Sequence, residues 1–129
     1  MATSPVPGVV PNDGLGVYCV AKCGVVAMSE VLWRELREHD IGVSVLCPMR
    51  LATNIDASGR NRQGGYGGPG SQAYEEVDEG DMAGDLLSAE DAAELVLTGI
   101  RENKLYLFTH DDSRAFIRKR FERMDQSFD

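Results

Sequence analysis

Positive charge is what these 129 residues are short of: 13 lysines and arginines face 21 aspartates and glutamates, for a formal net charge of -8. Proteins that work by gripping nucleic-acid phosphates concentrate cations, so a nucleic-acid partner is not expected. Long apolar runs are missing too. None reaches the roughly 20 residues that cross a bilayer, and no membrane span is predicted. Met1 to Pro5 carry neither the basic region nor the apolar core of a secretory leader, which makes a cytoplasmic protein the expectation. Cysteine is sparse and odd in number. Cys19, Cys23 and Cys47 lie in apolar surroundings with no Cys-His cluster beside them, so they read as reduced core residues and not as a disulfide framework or a zinc site. The length allows one domain and not two, and 43% hydrophobic with 26% charged residues fits a soluble globular chain.

The densest apolar stretch opens on Tyr18-Cys19-Val20-Ala21-Lys22 and runs to about His39. As a helix it stacks Tyr18 and Lys22 one turn apart on a single face. A phenol near pKa ~10 is a poor proton carrier at neutral pH, but a neighbouring ammonium favours the phenolate and draws that value down. Lys22 would then tune and Tyr18 would carry the proton. From Tyr18 to Leu32 the clearly polar residues are Lys22, Ser29 and Glu30. A helix apolar all round is expected to be buried on both sides. Its far end turns amphipathic, with Glu30 and Arg34 spaced as an i,i+4 pair.

Before this helix, Pro5, Pro7, Pro11, Gly8, Gly14 and Gly16 predict an irregular loop with at most a short extension at Val9-Val10. After it, Asp40-Ile41-Gly42 turns the chain into a buried strand, Val43 to Cys47, halted by Pro48. Residues 56–87 lose all periodicity and read as a lid, a binding loop or a disordered segment. Ser88-Ala89-Glu90-Asp91 is a capping-box-like start, and the helix it opens ends near Asn103. Leu105 to Phe108 reads as a second strand. Asp111-Asp112-Ser113 begins a last helix, with Phe116, Ile117, Phe121 and Met124 on its apolar side and Arg114, Arg118, Lys119, Arg120 and Arg123 on a solvated one. The order predicts α/β architecture with parallel pairing. Two strands, however, make a poor sheet.

Several tempting patterns have plainer readings. Gly65-Tyr66-Gly67-Gly68-Pro69-Gly70 spells Gly-x-Gly-x-x-Gly, but no strand precedes it and Pro69 sits inside it, so it reads as a flexible loop. His39 is a favourable cation at a helix C-terminus. His110 beside Asp111 and Asp112 is a turn followed by a helix cap, and the acidic run from Glu75 to Asp85 lacks calcium-loop spacing. No metal site is expected.

Taken together, Tyr18-x-x-x-Lys22 opening the long helix, the strand Val43 to Cys47 and Pro48-Met49-Arg50-Leu51-Ala52-Thr53 resemble the short-chain dehydrogenase/reductases, specifically the half that follows the cofactor-binding half. Gly14-Leu15-Gly16 and Leu105 to Thr109 are similar to one subgroup. The resemblance covers most of the chain. It implies a partial Rossmann-like α/β fold, the C-terminal half of a doubly wound parallel sheet. The expected parts are 1–17 as an active-site loop, 18–53 as catalytic helix, strand and proline loop, 54–87 as substrate loop, and 88–129 as helix-strand-helix. It also implies an NAD- or NADP-dependent enzyme interconverting an alcohol and a ketone or aldehyde. Tyr18 would exchange the substrate proton, Lys22 would lower its pKa and hold the nicotinamide ribose, and Pro48, Met49, Leu51 and Thr53 would border the cofactor. The family's carbonyl-orienting serine position falls on Pro5, with Ser4 one residue earlier as the candidate third member. Met49 stands where the family has a glycine, and the pyrophosphate-binding Thr-Gly-x-x-x-Gly-x-Gly loop is absent from the 129 residues. Two outcomes are therefore expected: an oxidoreductase forming a homo-oligomer through the long helix, or a truncated, inactive relative serving as an association module whose helix pairs with another copy or with a separate chain carrying the missing sheet.

Overall fold

The computed structural model describes residues 2–3, 8–11, 13–49, 51 and 86–128. Three strands and three helices alternate: β1 (Ala2–Thr3), α1 (Gly16–Leu36), β2 (Val45–Cys47), α2 (Ala89–Arg101), β3 (Tyr106–Phe108) and α3 (Ser113–Asp125), with short 3-10 turns over Arg37–His39 and Gln126–Phe128. The sheet is parallel throughout, in the order β1-β2-β3. The α/β parallel architecture is therefore present, with one strand more than expected. Residues 2–3 pair with Val45 and Leu46, whereas Val9-Val10, read as the extension, lies in a turn. A two-residue strand has no periodicity to detect, and its neighbour on the sheet creates it.

Register assigns the faces. Val45 pairs with Tyr106, Leu46 with Leu107 and Cys47 with Phe108, so alternate residues define two sides of the sheet. On one side Val45 and Cys47, both fully buried, join Val9 and Val26 in the core, with Val25, Phe108 and Ile117 packed around them. This is the side covered by α1 and α3. The Tyr106 and Phe108 rings stack there at 6.0 Å, and the Tyr106 hydroxyl donates to Glu30 of α1. On the other side a Cβ at Gly99 of α2 would come within 2.2 Å of the Leu107 side chain, so only glycine lets α2 lie this close. The helices thus sandwich the sheet. Because β1-α1-β2 and β2-α2-β3 step the same way across the sheet but over opposite faces, they are of opposite hand. The usual right-handed rule holds for at most one of them. The second connection runs through residues 48–105, long enough to escape the twist constraint that governs short crossovers.

Local chemistry explains the ends. The Ser88 Oγ accepts from the Asp91 N–H at 3.0 Å and donates to the Asp91 carboxylate at 2.7 Å, the predicted cap. α1 has no side-chain cap; it starts from Gly14, whose φ of 74° turns the chain into Leu15 and the helix. Asp40 and Asn103, with φ of 55° and 54°, end α1 and α2 in the left-handed region that Asn and Asp tolerate.

Several expectations need correction. α1 is not buried on both sides: only Cys19, Val26 and Ser29 are buried, while Val17 is 88% and Val20 75% exposed. One sheet of three short strands covers one stripe of the helix and leaves Val17, Val20, Gly24, Met28 and Val31 outward at helical spacing. Glu30 does not pair with Arg34 among the described residues; the Tyr106 hydroxyl takes its carboxylate. The apolar side of α3 buries little beyond half of Ile117, with Phe116, Phe121 and Met124 exposed, and Arg120 is no solvated cation, since it donates to the Val9 carbonyl. Contrary to the absence of a membrane-length segment in the sequence reading, the helical segment Gly16–His39 is long and apolar enough to span a bilayer by length and composition. Within the structure, Val26 in the core and the Tyr106–Glu30 bond join it to the sheet.

Candidate active site

Parallel strands gather loops at their carboxyl edge, and ligands of open α/β sheets bind there. α1 follows β1 and precedes the parallel β2, so it runs back along the sheet and begins at that edge. Its 21 residues extend about 31 Å, against about 10 Å for a three-residue strand, so its first turns overhang the sheet. Tyr18 and Lys22 occupy this overhang. Below them on the same stripe follow Val25, packed against the core, and buried Ser29, whose hydroxyl donates to the Val25 carbonyl at 2.8 Å. The pair thus stands on the sheet-facing stripe, just past the sheet's end. The Lys22 Nζ lies 5.5 Å from the Tyr18 ring centroid, and Tyr18 is 40% exposed, so the phenol keeps access to a substrate.

A second group lies at the same edge, after β2. Pro48 is buried and Met49 half-buried. The Met49 N–H donates to the Thr109 Oγ1 at 3.1 Å, and that oxygen is 2.7 Å from the His110 Nδ1. Leu51 makes a parallel bridge to Leu87. Ser4 and Thr53 lie outside the described residues, as do the glycine-rich segment 65–70, the acidic run 75–85 and most of the substrate loop. Beside His110 a cleft of about 480 Å³ opens between β3 and α3, floored by Phe108 and Ile117 and edged by Arg114 and Arg118.

Two buried or bonded groups of the sheet do not suit catalysis. Burial pushes the Cys47 thiol up to about 11, which suits a small core residue and not a nucleophile. Cys19 and Cys23 form no disulfide. Tyr106 is raised to about 12 by desolvation and by its bond to Glu30, the opposite of what an acid-base catalyst needs. His39 lies 3.6 Å from Glu38, both well exposed. Among the described residues no group of three or more His, Cys, Asp or Glu is placed to hold a metal. Sequence reasoning missed Thr109 as part of the edge. The available signal was a hydroxyl residue directly after a buried strand, opposite a proline that cannot continue the ladder.

An all-parallel sheet among the described strands, with helices on both faces, defines the α/β class, and comparison with known proteins supplies the family. The profile described as short chain dehydrogenase matches residues 1–64. The chain is 30% identical over 120 residues to 1-deoxy-11-beta-hydroxypentalenate dehydrogenase of Streptomyces exfoliatus, covering 93% of this chain and 38% of that protein. It is 27% identical over 124 residues to a C alpha-dehydrogenase of a Sphingobium species, covering 95% and 41%. Among solved structures, a short chain dehydrogenase/reductase from Burkholderia phymatum in complex with NAD superposes with a TM-score of 0.81 at 26% identity, over 97% of this chain and 47% of that one. A short-chain dehydrogenase from Sphingobium yanoikuyae in complex with NADPH shares the fold, at a TM-score of 0.61 and 20% identity, over 97% and 43%. The chain belongs to the short-chain dehydrogenase/reductase family of oxidoreductases, with the Rossmann-type α/β fold of its members. It spans about two fifths of the length of the curated relatives it matches.

Proposed function

We propose that this chain supplies the catalytic and substrate-side portion of a nicotinamide-dependent oxidoreductase that interconverts an alcohol with a ketone or aldehyde. The observation that carries the reading is the Tyr18–Lys22 pair, one helical turn apart and 5.5 Å from ring to ammonium, overhanging the carboxyl edge of a parallel sheet. Tyr18 is the proton carrier: as the phenol it donates its proton to the substrate oxygen in reduction, and as the phenolate it takes the alcohol proton in oxidation. Lys22 favours the phenolate through its charge. A bound NAD or NADP supplies or accepts the hydride. Lys22 would hold the ribose hydroxyls, and Pro48, Met49, Leu51 and Thr53 would border the nicotinamide. The described part of that set fits the role, since buried Pro48 and the tied Met49 amide make a firm wall at the edge where Lys22 projects. Ser4 is the candidate for orienting the carbonyl.

The test is turnover of secondary alcohols or ketones with NAD(H) and NADP(H) by the wild-type chain and by Tyr18→Phe. Loss of activity in the variant, with an unchanged melting temperature, is the expected result; a fully active variant would remove Tyr18 from the chemistry.

A second reading is favoured by the exposed stripe of α1. Val17, Val20, Met28 and Val31 are each more than half exposed, an apolar surface that a second copy of the chain would cover, whether or not the chain is itself catalytic. Molecular mass in solution tests this, and a monomer at all concentrations would argue against it.

A further inference from the structure

We infer that Thr109 is a positioning residue for the segment after β2, holding the Met49 backbone in place from the neighbouring strand. This inference rests on the proposed dinucleotide-binding role of that segment. The β2–β3 ladder ends at the pair Cys47 and Phe108, because the next residue, Pro48, has no N–H to contribute. The first donor beyond the ladder is therefore the Met49 N–H. In a strand ending it would be left to water or to a local turn. Here the hydroxyl of Thr109, the residue following Phe108, accepts it at 3.1 Å, across 60 positions of sequence. A side chain thus continues the tie between the two strands for one residue after the backbone no longer does.

The hydroxyl is itself oriented. Its oxygen sits 2.7 Å from the His110 Nδ1, and its residue is half-buried, so rotation away from Met49 breaks one hydrogen bond and strains the other. The consequence falls on a position where the family resemblance has glycine. Glycine would allow many backbone conformations at that point; Met49 allows fewer, and the Thr109 bond selects among them. The conformation at Met49 is in this way tied to the end of β3 as well as to local sequence. Thr109 acts through Met49 and touches no reacting atom.

The test uses the full chain with Thr109→Val, which keeps shape and removes the acceptor, and Thr109→Ser, which restores it; Thr98→Val on the exposed side of α2 is the remote control. Amide exchange of Met49 is followed by NMR, and NADH and NADPH affinities by fluorescence titration. In Thr109→Val the Met49 amide is expected to exchange about ten-fold faster while Leu46 and Cys47 keep their protection, and dinucleotide affinity is expected to fall about five-fold, the scale of one lost hydrogen bond. Thr109→Ser should return both to near wild type. Unchanged Met49 exchange in Thr109→Val overturns the proposal, and so does a Thr109→Ser variant that fails like the valine one, since packing alone would then explain the loss. A wild-type chain that binds neither dinucleotide overturns the oxidoreductase reading and the affinity half of this one, whereas the exchange result decides on the clamp separately.

Discussion

α1 and α2 do the same architectural job, each carrying the chain from one parallel strand back to the next, yet they are built on different principles. α2 is 13 residues long, opens on a reciprocal Ser88–Asp91 cap and fits the sheet through Ala92 and Gly99. Its polar residues face outward, and so, by about half, do Leu97 and Ile100 of its apolar set. α1 is 21 residues long, has no side-chain cap, overhangs the sheet and leaves an apolar stripe uncovered. A helix that only had to close a crossover would need neither the extra turns nor the apolar outer face. The extra turns carry Tyr18 and Lys22, and the outer face is what an association surface requires. The difference teaches that α2 is fitted to the sheet, whereas α1 exceeds what the sheet requires, as the proposed substrate and association roles would need.

The largest effect that would break this contrast is chemical. Tyr18→Phe removes a general acid-base, a loss of about 10²–10⁴ in rate, while the half-exposed site should leave the melting temperature unchanged; a large stability loss would make Tyr18 a packing residue like those of α2. Next comes Gly99→Val on α2. The added methyl groups meet a buried Leu107 and should cost about 1–3 kcal/mol of unfolding free energy in denaturant titration, with no direct effect on chemistry. A stable variant would mean that α2 is less closely fitted than its geometry implies.

Alkaline pH probes the sheet that both helices share. The Cys47 thiol is raised in the folded state from 9.0 to about 11, so its contribution is fully present below pH 9.0 and lost as pH rises through about 11. Over that interval the unfolded chain binds fewer protons than the native one, and stability falls with pH. Two units correspond to on the order of 2 kcal/mol. Tyr106, raised to about 12, adds in the same direction at higher pH still. A Cys47→Ala variant should show a flatter fall between pH 9 and 11 in the same titration. Smaller again is Ser88→Ala, which removes the cap of α2 and should cost about 1 kcal/mol; α1, uncapped, has no equivalent substitution. Smallest in stability is Val20→Lys on the outer stripe of α1, expected within about 0.5 kcal/mol of wild type as an exposed change. If a second copy covers that stripe, the same variant lowers the measured mass.

Much of the architecture was legible because it is local. Ser88 with Asp91 announces a helix start, Val45 to Cys47 and Tyr106 to Phe108 carry the β-branched and aromatic character of buried strands, and both strands were read too long by one or two residues at their start. Ser44, counted in the first, uses its hydroxyl to bond the Lys104 carbonyl at 2.8 Å instead. β1 was invisible, since two residues have no pattern and Ala2–Thr3 become a strand only beside Val45 and Leu46. The outward stripe of α1 was misread for a related reason: apolarity on all sides says that a surface tends to be covered, and not which neighbour covers it.

By itself the sequence determined the α/β alternation, the Ser88–Asp91 cap of α2 and the one-turn spacing of Tyr18 and Lys22, because each depends on residues a few positions apart. Only the tertiary structure decided which stripe of α1 meets the sheet, that α2 lies on the opposite face, that Glu30 answers Tyr106 and not Arg34, and that Thr109 meets Met49. Those contacts join segments far apart in the chain, and no local propensity encodes a partner that arrives only when the strands pair.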